Sequence, residues 1–156
     1  MKRIVSIICL AGLAGPVIGQ EDLRIDQTRL YVSDPADCEA LEKQGLDAWM
    51  DMDFLTLSFA DGIQSMEFHC NFYDVKGRDG GSHLFIDAIC ELPGEVYPDI
   101  MAVTPWNDTQ IQVVSQADTT LAMMASMAGG EEEYSDMPPG VTLYTRCDNL
   151  SEIPVD

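Results

Sequence analysis

The chain has 156 residues, of which 27 are acidic and eight are basic, so its formal charge at neutral pH is −19. A field of this sign repels nucleic acid and anionic membrane surfaces, which excludes those partners and favours a cationic one. The length is enough for one domain with a substantial core and short for two.

The first 19 residues predict a secretory signal peptide. Two basic residues are followed by an uncharged apolar run to about Ala14, and small residues lead to a cleavage site near Gly19. The apolar run is shorter than the roughly 20 residues of a membrane span. We therefore expect residues 1–19 to be removed and residues 20–156 to form one disulfide-bonded β domain in the periplasm or secreted. That domain keeps six basic residues against 27 acidic ones, a formal charge of −21.

The predicted elements begin with a short edge strand at 29–32. Asp34 is a suitable helix cap and Gly45 a suitable exit, which predicts a helix at about 35–44. Next comes a hairpin, because Asp61-Gly62 is typical of a two-residue turn. That turn places Leu57 opposite Met66.

A second hairpin is predicted around a turn at 78–82. Placing Cys70 opposite Cys90 also places Phe72 opposite Ala88, so that the apolar residues of both strands share one face. Directly opposed residues on neighbouring strands approach closely enough for a disulfide.

Four cysteines remain after the signal, since Cys9 lies within it, and an even number in an exported chain indicates disulfides. Four cysteines can pair in three ways. The hairpin geometry favours Cys70–Cys90, which leaves Cys38–Cys147 to tie the start of the domain to its end.

The remaining strands are predicted at 99–105, 109–116 and 141–147. Between the last two lies a Met-rich and acidic insertion, which we expect to form a mobile loop at about 117–140, with a short helix capped by Asp118 or Thr119. The fold class is mainly β: a small antiparallel barrel or sandwich of about six strands with one short N-terminal helix.

Two groups of residues have the chemistry of metal ligands. His69 is predicted to lie opposite Glu91 on the outward face, with Glu67 nearby, but such a pair is ordinary on a solvated strand face, and we assign no metal or cofactor to it. The second group is a methionine cluster. Thioethers suit cuprous ion, and methionine also fills gaps in cores. Its members are Met123, Met124 and Met127.

Catalytic motifs are not evident. The sequence has no Gly-x-Ser-x-Gly elbow and no Cys-x-x-Cys motif, and its mature cysteines are better explained as bridges. We therefore predict a protein that is not an enzyme, with no catalytic residues.

The pattern of short motifs resembles a group of small exported four-cysteine β proteins of Gram-negative bacteria. The residues that carry it are Gly62, Glu67, Cys70, Arg146 and Cys147. The group is distantly similar to periplasmic lysozyme inhibitors. The resemblance implies a small, bridged, acidic β protein, and it carries over at the level of the fold.

These observations lead to two functional hypotheses. The first is a non-enzymatic binding protein, an acidic inhibitor of a cationic protein such as lysozyme, whose contacts come from Glu131, Glu132, Glu133 and Asp136. The alternative is a copper- or other metal-handling protein that uses the methionine cluster. The sequence does not indicate an oligomeric state.

Overall fold

A computed structural model describes residues 23–128 and 137–154, so the predicted signal peptide and the acidic run at 131–136 lie outside the described residues. The strands form one closed antiparallel barrel in which neighbours in sequence are neighbours in space. The strands are β1 Leu30–Val32, β2 Thr56–Ser58, β3 Gly62–Gln64, β4 His69–Gly77, β5 Leu84–Leu92, β6 Glu95–Pro105, β7 Gln110–Ser115 and β8 Val141–Cys147. The α-helices are α1 Asp37–Gln44, α2 Ala48–Asp51 and α3 Gln116–Met127, with a 3-10 helix at Gly45–Asp47.

The barrel has eight strands rather than about six. The strand predicted at 29–32 is present as β1, but its predicted position at an edge is wrong. β1 pairs with β2 on one side and with β8 on the other, so this three-residue strand closes the barrel. Local sequence patterns could not indicate this pairing, because β1 and β8 are more than 100 residues apart in the chain.

The predicted register of the long middle hairpin is confirmed over its first half. Cys70 lies opposite Cys90 and Phe72 opposite Ala88, and the register shifts at a bulge after Phe72. The predicted disulfide Cys70–Cys90 forms there, with both residues fully buried.

The predicted register of the first hairpin is wrong. Leu57 lies opposite Ile63 rather than Met66, because the loop has three residues, 59–61, and Gly62 opens β3 with a φ of 96°. A tight turn at 65–68 then separates β3 from β4, and Met66 lies in this turn, half exposed.

The barrel interior is one apolar core that includes Tyr31, Leu57, Ile86, Val103 and Tyr144. These positions follow the period-2 alternation of strands that bury one face. Because side chains fill the interior, the barrel is a packed scaffold.

A second core lies outside the barrel, where α1 and α2 cover β1 and β8. Leu30, Val32 and Leu41 are buried in it, and the predicted disulfide Cys38–Cys147 joins α1 to β8 beside them. Two disulfides indicate an oxidising compartment. None of the helices at 23–128 has the length and apolar composition needed to cross a membrane.

The alternation of strand direction gives the barrel two different ends. β1, β3, β5 and β7 all finish at the end where β7 continues into α3, which we call the helix end. The opposite end carries the segment before β1, the loops after β2, β4 and β6, and the finish of β8.

Candidate binding site at the helix end of the barrel

Helix α3 is attached to the barrel by a buried carboxylate. Asp99 of β6 is 5% exposed, and its oxygens accept hydrogen bonds from the Ser115 hydroxyl at 2.6 Å and from the backbone amides of Ile100 and Ala117 at 2.8 and 3.0 Å. An anion at the first turn of a helix accepts hydrogen bonds from amides that have no partner within the helix, and its charge interacts favourably with the helix dipole. Ser115, and not Asp118 or Thr119, caps the helix, since its hydroxyl accepts from the Asp118 amide at 3.0 Å.

A second carboxylate stands close to this anchor. Partial burial, reinforced by the charge of Asp99, raises the pKa of Asp118 above its ordinary value. Burial likewise raises the pKa of Tyr97 and of Tyr144, whose ring fills the barrel below. A cavity of only about 40 Å³ separates these groups, and both oxygens of Asp99 are already engaged. The arrangement of Asp99 and Asp118 is therefore that of a structural attachment between α3 and the barrel.

Beyond its first turn, α3 exposes its apolar side chains. The helix buries no residue, and four large side chains are mostly exposed: Leu121 at 62%, Met123 at 58%, Met124 at 61% and Met127 at 87%. Methionines at these positions do not fill a core. Contiguous apolar surface of this kind on a highly charged chain marks an interaction site.

A groove of about 460 Å³ runs between α3 and the outer face of β6; we call it the α3–β6 groove. Leu121 and Met124 line it from the helix, while Pro98 and Ile100 line it from the strand. Leu92 at the end of β5 extends the same surface. Most of this lining is apolar, and Ile100 is 52% exposed although it lies in a long strand.

The two ends of the barrel differ in charge. Five of the six basic residues after residue 22 lie at the opposite end, where Arg29 pairs with Asp26 and Arg146 with Asp148. The sixth, Lys43, pairs with Glu39 on α1. The described turns at 65–68 and 93–94 and the residues after β7, 116–128 and 137–140, carry no lysine or arginine. The exposed carboxylates on these segments and the adjoining strand ends are Glu67, Glu91, Glu95 and Asp118, and the imidazole of His69 lies opposite Glu91.

A second groove, of about 410 Å³, lies between the α2 region and the turn that joins β3 to β4. Met50 and Met66 line it together with Asp53 and Glu67. The indole nitrogen of Trp49 is buried there without a hydrogen-bond partner among the described side chains. The helix end thus combines apolar and acidic surface in two neighbouring places.

The structure gives different outcomes for the residues proposed from sequence. His69 lies opposite Glu91 with both side chains exposed, as predicted. Within residues 23–128 and 137–154, no three His, Cys, Asp or Glu side chains converge in a way that would hold a metal. The segment at 117–140 begins with α3, and the acidic run lies outside the described residues: Glu131, Glu132, Glu133 and Asp136.

Sequence reasoning did not find the Asp99 anchor, although a signal for it existed. Asp99 has the same strand parity as Met101 and Val103, which are buried in the barrel. A carboxylate at an inward position must be paired or hydrogen-bonded, and the first turn of a nearby helix supplies donors.

Comparison with known proteins adds no relative: no family model, no curated protein and no solved structure matches the chain. The resemblance to exported four-cysteine proteins therefore stays a prediction.

Proposed function

We propose that the chain is an exported, non-enzymatic binding protein of the periplasm or the extracellular space, and that it takes a cationic protein partner at the helix end of the barrel. The observation that carries this proposal is the coincidence, at one end, of exposed apolar side chains with carboxylates on described segments that carry no lysine or arginine. Complementary charge accelerates encounter, and apolar contact supplies most of the affinity.

An inhibitor of lysozyme is the concrete form of this proposal, since lysozyme is a cationic protein that an exported acidic protein can meet. The acidic run predicted from sequence as the contact region directly follows α3 in the chain: Glu131, Glu132, Glu133 and Asp136. In this proposal its carboxylates contribute to the contact with the cationic partner.

The test is lysozyme binding by calorimetry at low and moderate salt, with the disulfide-intact protein. We expect binding at low salt that weakens as salt increases, because exposed charges are screened within about 10 Å at 0.1 M. Absence of binding at low salt would refute lysozyme as the partner.

Two matched variants locate the contact. Glu67→Gln/Glu95→Gln changes the helix end, while Asp79→Asn/Asp108→Asn makes the same change in net charge at the opposite end. We expect the first variant alone to weaken binding. Equal effects would mean that net charge, and not the helix end, determines the interaction. A third variant, in which the four acidic residues after α3 are made amides, tests the prediction from sequence.

A second candidate function is cuprous-ion binding by the methionine cluster. It is favoured by the exposure of all three thioethers and by their spacing, since Met127 follows Met123 by four residues and Met124 by three, which places them on neighbouring turns. Titration with cuprous ion should give a Kd that a Met123/Met124/Met127→Leu variant raises. Equal affinity in that variant would exclude this function.

A further inference from the structure

We propose that the α3–β6 groove binds one amphipathic cationic helix of the partner protein, with the apolar face of that helix seated against Leu121 and Met124. This inference depends on the proposed function and makes it more specific, because it names the segment of the partner that is recognised and the surface that recognises it.

The walls of the groove are apolar and preformed. Pro98 and Ile100 face outward from the part of β6 that pairs with β5, and Leu121 and Met124 face them from α3. A helix of 12 residues that buries none of them gains little stability from packing, and short isolated helices are marginal in water. A partner that covers the exposed apolar side chains of α3 would therefore stabilise the helix.

The walls of the groove determine how a peptide segment can bind. β6 pairs with β5 along its whole length but with β7 only from Met101 onward, and before that point α3 runs beside its outer face. A groove between a helix and the outer face of a strand suits a second helix packed alongside. Helix α3 is about 18 Å long, which matches about three turns of a partner helix.

The charge around the groove selects a basic helix. Glu95 lines the groove, and Glu91 lies opposite Val96 on the adjoining outer face. No basic side chain in the described ranges lines it. Lysine and arginine flanking an apolar face would therefore meet carboxylates at the rim while the apolar face contacts Ile100 and Leu121.

The test uses a synthetic amphipathic helix of leucine and lysine as the probe, with a sequence-scrambled peptide of the same composition as the comparison. Leu121→Gln/Met124→Gln changes two residues that line the groove. Met123→Gln/Met127→Gln is its matched control, because these methionines are exposed on the same helix and do not line the groove. All four side chains are mostly exposed, so thermal unfolding should be nearly unchanged in both variants.

We expect the probe to bind the unmodified protein and to lose about tenfold or more in affinity to the Leu121/Met124 variant, with at most about a twofold change in the control. Equal losses in the two variants, or equal binding of the scrambled peptide, would overturn the proposal. In either case, retained salt-dependent binding of lysozyme would leave the proposed function standing. Failure of lysozyme to bind at low salt would instead count against the proposed function itself.

Sedimentation of the protein alone examines the other occupant, a second copy of this chain. The proposal requires a monomer at the concentrations used for titration. A dimer that the Leu121/Met124 variant abolishes, together with no binding of the probe, would overturn the proposal and assign the groove to self-association.

Discussion

Replacing Asp99 with alanine should release α3 from the barrel while leaving the barrel folded. The substitution removes the acceptor of the Ser115 hydroxyl at 2.6 Å and of the Ala117 amide at 3.0 Å, and these two bonds hold the first turn of the helix. Hydrogen bonds to a charged group contribute about 1.5–3 kcal/mol each. Their sum, about 3–6 kcal/mol, is reduced because water can reach the released donors and because Asp118 loses a repulsive neighbour.

We therefore expect the opening free energy of α3 to fall by about 3 kcal/mol, which corresponds to roughly 100-fold faster amide exchange across the helix. Hydrogen exchange read by mass spectrometry measures this directly, with the long strands β5 and β6 as internal references. Because α3 buries no residue, its opening should cost the strands little protection.

The matched control is Asp79→Ala, which removes an exposed carboxylate from the turn at the opposite end of the barrel. It should leave exchange in α3 unchanged. The reasoning would be refuted if Asp99→Ala left α3 protected, or if it increased exchange in α3 and in the strands by the same factor. The second result would mean that helix and barrel open as one unit.

Three further predictions test the scaffold. Gly140→Ala should destabilise the protein by more than about 1 kcal/mol in urea unfolding. Gly140 has a φ of 77°, and an added Cβ would lie 2.6 Å from the backbone nitrogen of Thr119. A neutral effect would contradict this packing. Replacing Cys38 and Cys147 with serine opens a loop of 109 residues, for which loop entropy predicts a loss of roughly 5 kcal/mol in unfolding free energy, and a loss below about 1 kcal/mol would show that the bridge adds no constraint. Asp118→Asn should raise the free energy of unfolding at pH 7 by less than about 1 kcal/mol. The folded state holds the pKa of this carboxyl above its unfolded value, so the unmodified protein loses stability as pH rises through the folded pKa, and the amide removes that loss. A gain that does not shrink towards pH 4 would refute this assignment.

The elements that the sequence could predict are those with local or paired signals. The Cys70–Cys90 register was predictable because turn residues, apolar alternation and cysteine spacing are independent and agree. The predicted register of the first hairpin was wrong because the apolar alternation continues through the turn at 65–68. The local pattern therefore did not separate β3 from β4.

By itself, the sequence determined the acidic charge, the mainly β character, the two disulfides and the presence of methionines near the last strand. Only the tertiary structure decided where that charge and those methionines lie. Closure of the barrel by β1 and β8, and the anchoring of α3 by Asp99, depend on residues far apart in the chain. Contacts of that kind leave no local periodicity, since they are selected by the packing of the whole domain.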